Sequence, residues 1–203
     1  MRVGVFGGTF DPIHYGHLLA AEEAHWRLGL AEVLFAPAAQ PPHKPGQPIS
    51  PVGYRVAMVE LAIAGNPHFR LSRVDLDRPG PHYTVDTIPW LQSALGPAAE
   101  LYLIIGLDSL VKLHTWREPA RLIRLCRLAV VSRPGQQLDL GELEATMPGI
   151  GERVHLLETP EIGISAEDLR RRVREGQSIK YQVPEAVEGY IYAHGLYTAH
   201  RET

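Results

Sequence analysis

Short apolar runs alternate with stretches of helical period along this chain, and that alternation restricts the fold more than any other feature. Val3 to Phe6 is the first run, and Gly16 to Leu28 then carries Leu18, Leu19, Ala21 and Ala24 at helical spacing among charged residues. Val33 to Ala36 reads as a second strand, and Tyr54 to Ala64 as a second helix carrying Val56, Val59, Leu61 and Ile63. Phe69 to Leu76 predicts a third strand and Thr84 to Leu95 a third helix, with Pro89 expected to kink or delay it. Leu101 to Ile105 is apolar throughout, as befits the centre of a parallel sheet covered on both faces. A helical stretch at Pro119 to Leu125, strands at Leu128 to Ser132 and Val154 to Glu158, and helices at Ala166 to Glu175 and Pro184 to His194 complete the pattern. Strands alternating with helices predict an α/β fold: a Rossmann-like doubly wound parallel sheet with a C-terminal helical segment. One domain is expected over residues 1–203, with the helical subdomain at about 160–203.

The bulk properties exclude several classes. Net charge is -3 and charged residues make up 21% of the chain, so neither a nucleic-acid tail nor a basic membrane patch is indicated. No apolar stretch is long enough to span a bilayer. Arg2 to Phe6 is too short for the apolar region of a signal sequence. A cytoplasmic location is the resulting expectation. Cys126 is the single cysteine, which rules out a disulfide within the chain and a multi-cysteine zinc site; beside a strand-like run it reads as a buried small hydrophobe. The lysines are Lys44, Lys112 and Lys180 only.

The chemistry is concentrated where the first strand ends. Gly7-Gly8 lets the backbone approach a phosphate and take up positive φ, and a helix beginning near Gly16 points its N–H groups and dipole at the same place. His14 and His17 stand three apart with Gly16 between them, which brings His17 into the first turn. Histidine pairs that chelate a metal from a helix usually stand four apart, so an anion suits this pair better. No metal-ligand set is expected. The proline-rich stretch from Pro37 to Pro51 lies between a strand and a helix of one pattern and reads as an active-site loop.

Gly7-Gly8-Thr9-Phe10-Asp11-Pro12-Ile13-His14-Tyr15-Gly16-His17 resembles the G-G-x-F-x-P-x-H-x-G-H signature of the nucleotidyltransferase superfamily. The resemblance implies that His14 and His17 bind phosphates and stabilise the transition state at an α-phosphate. Further segments resemble the bacterial nicotinate mononucleotide adenylyltransferases within that superfamily: Pro41-Pro42-His43-Lys44, Tyr83-Thr84-Val85-Asp86-Thr87, Ile104-Ile105-Gly106-Leu107-Asp108-Ser109, Trp116, and Ile164-Ser165-Ala166-Glu167-Asp168-Leu169-Arg170. Three positions depart from that pattern: Gln40, His82, and Ala166-Glu167 in place of Ser-Thr.

The resemblance implies adenylyl transfer from ATP to nicotinate mononucleotide, giving deamido-NAD and pyrophosphate, with Mg²⁺ held mainly through the ATP phosphates. It assigns His14, His17, Lys44 and Arg170 to catalysis. ATP falls to Gly7, Gly8, Thr9, Phe10, Gly16, His17, Gly106, Asp108, Ser165 and Arg170, and the mononucleotide to Lys44, Thr84, Asp86, Asp108 and Trp116. Read alone, Thr84 to Thr87 and Ser165 are also plausible helix caps. Other acceptors (nicotinamide mononucleotide, phosphopantetheine), a nucleotide-binding sensor that has lost activity, and a homo-oligomer remain open at this point.

Overall fold

Each apolar run expected to form a strand joins one sheet. The computed structural model describes residues 1–40, 49–132, 138–160 and 162–198. Its strands are β1 (Arg2–Gly8), β2 (Glu32–Pro37), β3 (Phe69–Leu71), β4 (Glu100–Gly106), β5 (Arg127–Ser132) and β6 (Val154–Glu158). They lie in the order β3-β2-β1-β4-β5-β6, and every pairing is parallel. The helices are α1 (Tyr15–Leu28), α2 (Val52–Ile63), α3 (Thr84–Leu95), α4 (Leu107–Val111), α5 (Pro119–Leu125), α6 (Leu140–Thr146), α7 (Ala166–Arg174) and α8 (Glu185–Ala193), with a 3₁₀ turn at Leu113–Thr115.

Alternation along β4 explains the two layers of helices. Leu101, Leu103 and Ile105 point into a core shared with Val85, Ile88 and Leu91 of α3 and Leu122 and Ile123 of α5. Tyr102 and Ile104 point the other way, into a core shared with Ala21 and Ala24 of α1, Leu169 of α7 and Val187 of α8. Complete burial of one such leucine or isoleucine contributes about 2 kcal/mol. The C-terminal helices thus pack into the same core as α1 and α2, through Leu169, Val173, Val187 and Ile191.

Strand order reverses between β1 and β4. The chain leaves β1 towards β2 and leaves β4 towards β5, so the two connections diverge and open a crevice at the carboxyl ends of the strands. Gly7 and Gly8 end β1 there, and Gly106 ends β4.

Three local expectations differ from what is found. β3 stops at Leu71; the next residues turn instead, with Leu76 and Asp77 N–H both donating to the Arg73 carbonyl. α3 is not delayed by Pro89 and runs on through it from Thr84. α4 and α6 were not anticipated, because helices of five and seven residues are too short to show a periodic face. Among the described residues no helix is long and apolar enough to cross a membrane.

Candidate active site

The crevice holds two cavities that meet at Phe6, Ile104, Ile105 and Gly106. One, of about 320 Å³, is lined by His14, Gly16, His17, Asp108 and Thr159 among others. The other, of about 310 Å³, is lined by Gly7, Gly8, Thr9, Thr84, Trp116 and Arg117 among others. A Cβ added at Gly7 or Gly106 would meet no atom within 4 Å, so both glycines leave room at the cavity walls.

The glycine turn departs from the expected geometry. Gly7 and Gly8 still belong to β1, in register with Ala36 and Pro37. Neither has a positive φ; that conformation falls on Phe10, at 49°. Gly8 is needed for space, because a Cβ there would lie 2.9 Å from the Phe10 ring. Phe10 itself is buried and lines neither cavity. Its ring meets Phe6, Phe35 and His17 at centroid distances of 5.7, 5.8 and 5.2 Å, so the turn is anchored to the aromatic core from below.

His14 precedes α1 as its N-cap, and its ring lies 3.8 Å from that of His17, tilted by 31°. The His14 backbone N–H donates to His17 Nδ1 at 3.3 Å, which leaves the His17 ring proton on Nε2. His14 Nδ1 is buried with no hydrogen-bond partner, and burial pushes the His14 pKa down to about 4. Before any anion binds, burial thus favours the neutral His14 ring over the imidazolium at neutral pH. Gly16 accommodates that ring: a Cβ there would stand 3.0 Å from His14 Nδ1. The helix start is less open than expected, because the Tyr15 N–H donates to the Gln182 carbonyl.

A buried brace holds the turn. Arg55 on α2 is 1% exposed and donates to four carbonyls: Ser50, Thr9, Ala38 and Ala39, at 2.9, 2.8, 2.8 and 3.2 Å. Burial pulls its pKa down, and the nearby Asp11 carboxylate offsets only part of that effect. Asp11, itself buried, accepts from Tyr197 Oη at 2.6 Å and from the Ser50 N–H at 3.1 Å. Arg170 on α7 donates to the Asp11 carbonyl at 2.6 Å. Arg170 thus reaches the turn but lines neither cavity.

The second cavity rests on a polar scaffold. Thr84 opens α3 and is not its cap; Tyr83 occupies that position without a side-chain cap bond. Thr87 Oγ1 donates to Asp75 Oδ1 at 2.8 Å and accepts from Arg78 Nη2 at 2.8 Å. Arg78 pairs with Asp75 at 2.9 Å, both side chains nearly buried. His82 Nδ1 accepts from the Gln40 N–H at 3.3 Å while Nε2 lies 3.0 Å from the Arg78 carbonyl, so the ring ties the proline-rich segment to this scaffold. Asp86 sits in the first turn of α3, where a carboxylate complements the helix dipole, and lines neither cavity.

Among the expected residues, His14, Gly16, His17 and Asp108 come together in one cavity, Gly7, Gly8, Thr9, Thr84 and Trp116 in the other, and Gly106 in both. Asp108 is thereby separated from Trp116. Ser165 is exposed and caps α7, its Oγ accepting from the Asp168 N–H at 3.1 Å. Glu167 is exposed in the first turn of α7. Lys44 lies outside the described residues. Cys126 is buried, its thiol pushed up to about 12 by burial, in keeping with a packing role. Among the described residues no three His, Cys, Asp or Glu side chains gather as metal ligands. Arg55, Tyr197 and the Asp75–Arg78–Thr87 group were not singled out from sequence. Arg55 left one trace, a charge inside the apolar stretch Val52 to Ile63.

Known proteins place this arrangement. Residues 5–172 match the family described as cytidylyltransferase-like. The chain belongs to that family of nucleotidyltransferases. A protein of Thermomicrobium roseum named "Probable nicotinate-nucleotide adenylyltransferase" is 53% identical over 97% of this chain and 91% of its own length. One of Moorella thermoacetica with the same name is 46% identical, again over 97% of this chain and 91% of its own. The solved structure of Plasmodium falciparum nicotinic acid mononucleotide adenylyltransferase complexed with NaAD superposes with a TM-score of 0.79, over 97% of each chain at 19% identity, and shares the fold.

Proposed function

We propose that this enzyme transfers AMP from ATP to nicotinate mononucleotide, giving deamido-NAD and pyrophosphate, a step of NAD biosynthesis. The observation that carries this reading is the pair of cavities meeting at Phe6 and Gly106, with the two histidines on one side and Thr84 and Trp116 on the other. A nucleoside triphosphate on the histidine side and a mononucleotide on the other meet where the cavities join. The names carried by the sequence relatives agree with this activity.

A phosphate oxygen of the mononucleotide attacks the α-phosphorus of ATP in line, and the bond from that phosphorus to the α,β-bridging oxygen breaks. A phosphate monoester is already a nucleophile near neutral pH, so no general base is required. Catalysis consists of positioning and of stabilising charge that builds up on the α-phosphate. His17 supplies the Nε2–H and His14 a ring N–H. The backbone of Gly8 and Thr9 lies beside the reacting phosphates, Lys44 adds charge to the set, and Arg170 holds the turn through the Asp11 carbonyl. Thr84 and Trp116 hold the pyridine ring. Asp108 falls with the ATP side and accepts from ribose hydroxyls. Ser165 and the start of α7 close the triphosphate end.

In this reading Mg²⁺ arrives on the triphosphate. When bound, the ion neutralises charge on the β- and γ-phosphates. A cytoplasmic location and a possible homo-oligomer belong to the same reading.

The test is Mg²⁺-dependent pyrophosphate release from ATP, with nicotinate mononucleotide, nicotinamide mononucleotide and phosphopantetheine supplied in parallel. Release fastest with nicotinate mononucleotide is expected. Release with none of them would favour a nucleotide-binding sensor, and fastest release with another acceptor would move the substrate.

A further inference from the structure

Trp116 is followed by a cation. Arg117 holds its guanidinium carbon 4.8 Å from the centroid of the Tyr83 ring. Tyr83 packs against the core between the sheet and α3 to α5, so the ring is a fixed platform for that cation. Arg117, Tyr83, Thr84 and Trp116 all line the same cavity. The cavity's carboxylate, Asp75, is already engaged by Arg78 and Thr87. Among the described residues Arg117 pairs with one acid, Glu118, at 3.7 Å, and Glu118 makes a closer pair with Arg121 at 3.2 Å. Among the described residues lining this cavity, Arg117 is the one arginine or lysine. Its side chain is 54% exposed, so it remains open to an incoming anion.

A guanidinium separates a carboxylate from a carboxamide in two ways. It attracts the net charge that only the acid carries, and its fixed N–H donors match two acceptor oxygens where the amide presents an NH₂. We propose that Arg117 is a specificity-determining residue, selecting a pyridine-3-carboxylate over the corresponding carboxamide in the mononucleotide site. This rests on the reading of the protein as an adenylyltransferase acting on a pyridine mononucleotide.

The test uses the whole chain, its Arg117→Gln and Arg117→Lys variants, and kcat/KM for nicotinate and nicotinamide mononucleotides with Mg²⁺-ATP. The preference of the unaltered enzyme for the acid should fall about tenfold in Arg117→Gln, the scale of one partly solvated charged hydrogen bond. Arg117→Lys should keep part of it, since the charge remains while the planar fork is lost. Added salt should erode the preference of the unaltered enzyme more than that of Arg117→Gln. A preference in Arg117→Gln within about twofold of the unaltered enzyme overturns the assignment. An unaltered enzyme that turns over neither mononucleotide overturns the activity as well, and so separates the two failures.

Discussion

The two halves of the crevice are built from different materials. On the histidine side, His17 packs edge-on against Phe6 and Phe10, which join Phe35 in a buried aromatic cluster behind the cavity. On the mononucleotide side, the walls hang on hydrogen bonds among Asp75, Arg78, Thr87 and His82. Close packing admits few alternative arrangements, whereas a polar network can exchange partners. The side that holds the triphosphate is therefore the stiffer one, and the side that selects the acceptor is the one where substitution can retune binding.

The largest expected difference comes from the histidines. His17→Ala should lower kcat about 100-fold or more while the KM for the mononucleotide changes little, as for removal of one preorganised donor. Turnover of saturating substrates within a few-fold of the unaltered enzyme would end the mechanism. Next is the brace. Arg55→Met deprives four carbonyls of a charged donor and should lower unfolding free energy in urea by about 3 kcal/mol. A loss under about 1 kcal/mol would show that the turn holds without it.

His14 gives a comparable effect that depends on pH. Its pKa is about 4 when folded against an ordinary 6.5. Between those values the unfolded chain takes up a proton that the folded chain refuses, so stability falls as pH drops through the window. Above pH 6.5 this contribution is fully present. The full swing is roughly 3 kcal/mol, read as the difference between the unaltered protein and His14→Gln in urea unfolding at pH 7 and pH 4. Identical pH slopes for the two proteins would contradict the burial argument. The smallest effect belongs to the other side. Thr87→Val should raise the KM for the mononucleotide several-fold, about 1 kcal/mol, with the KM for ATP nearly unchanged. Equal shifts in both would erase the distinction between the halves.

The same contrast governs what could be read from the chain. The glycine turn and both histidines lie in one contiguous string, Gly7 to His17, because a strand-to-helix turn keeps sequence neighbours together. The central strands β1, β2, β4 and β5 were likewise legible from their apolar runs, as buried parallel strands are, whereas β3, with Arg70 at its middle, ends at Leu71 and not at Leu76. Asp75, Arg78, His82 and Thr87 converge through an irregular segment that has no period to detect. Arg55 was invisible for another reason: an arginine on a helix normally reads as solvated, and only the folded loops of Thr9, Ala38 and Ser50 supply its acceptors. The expected positive φ at the glycine pair moved to Phe10 because the core claims that ring.

Tyr197 and Arg170 both close on Asp11, across 186 and 159 residues of sequence. A cut on the C-terminal side of α8 that removes Tyr197 would take this phenolic latch from Asp11, so damage far along the sequence loosens the turn that carries the chemistry.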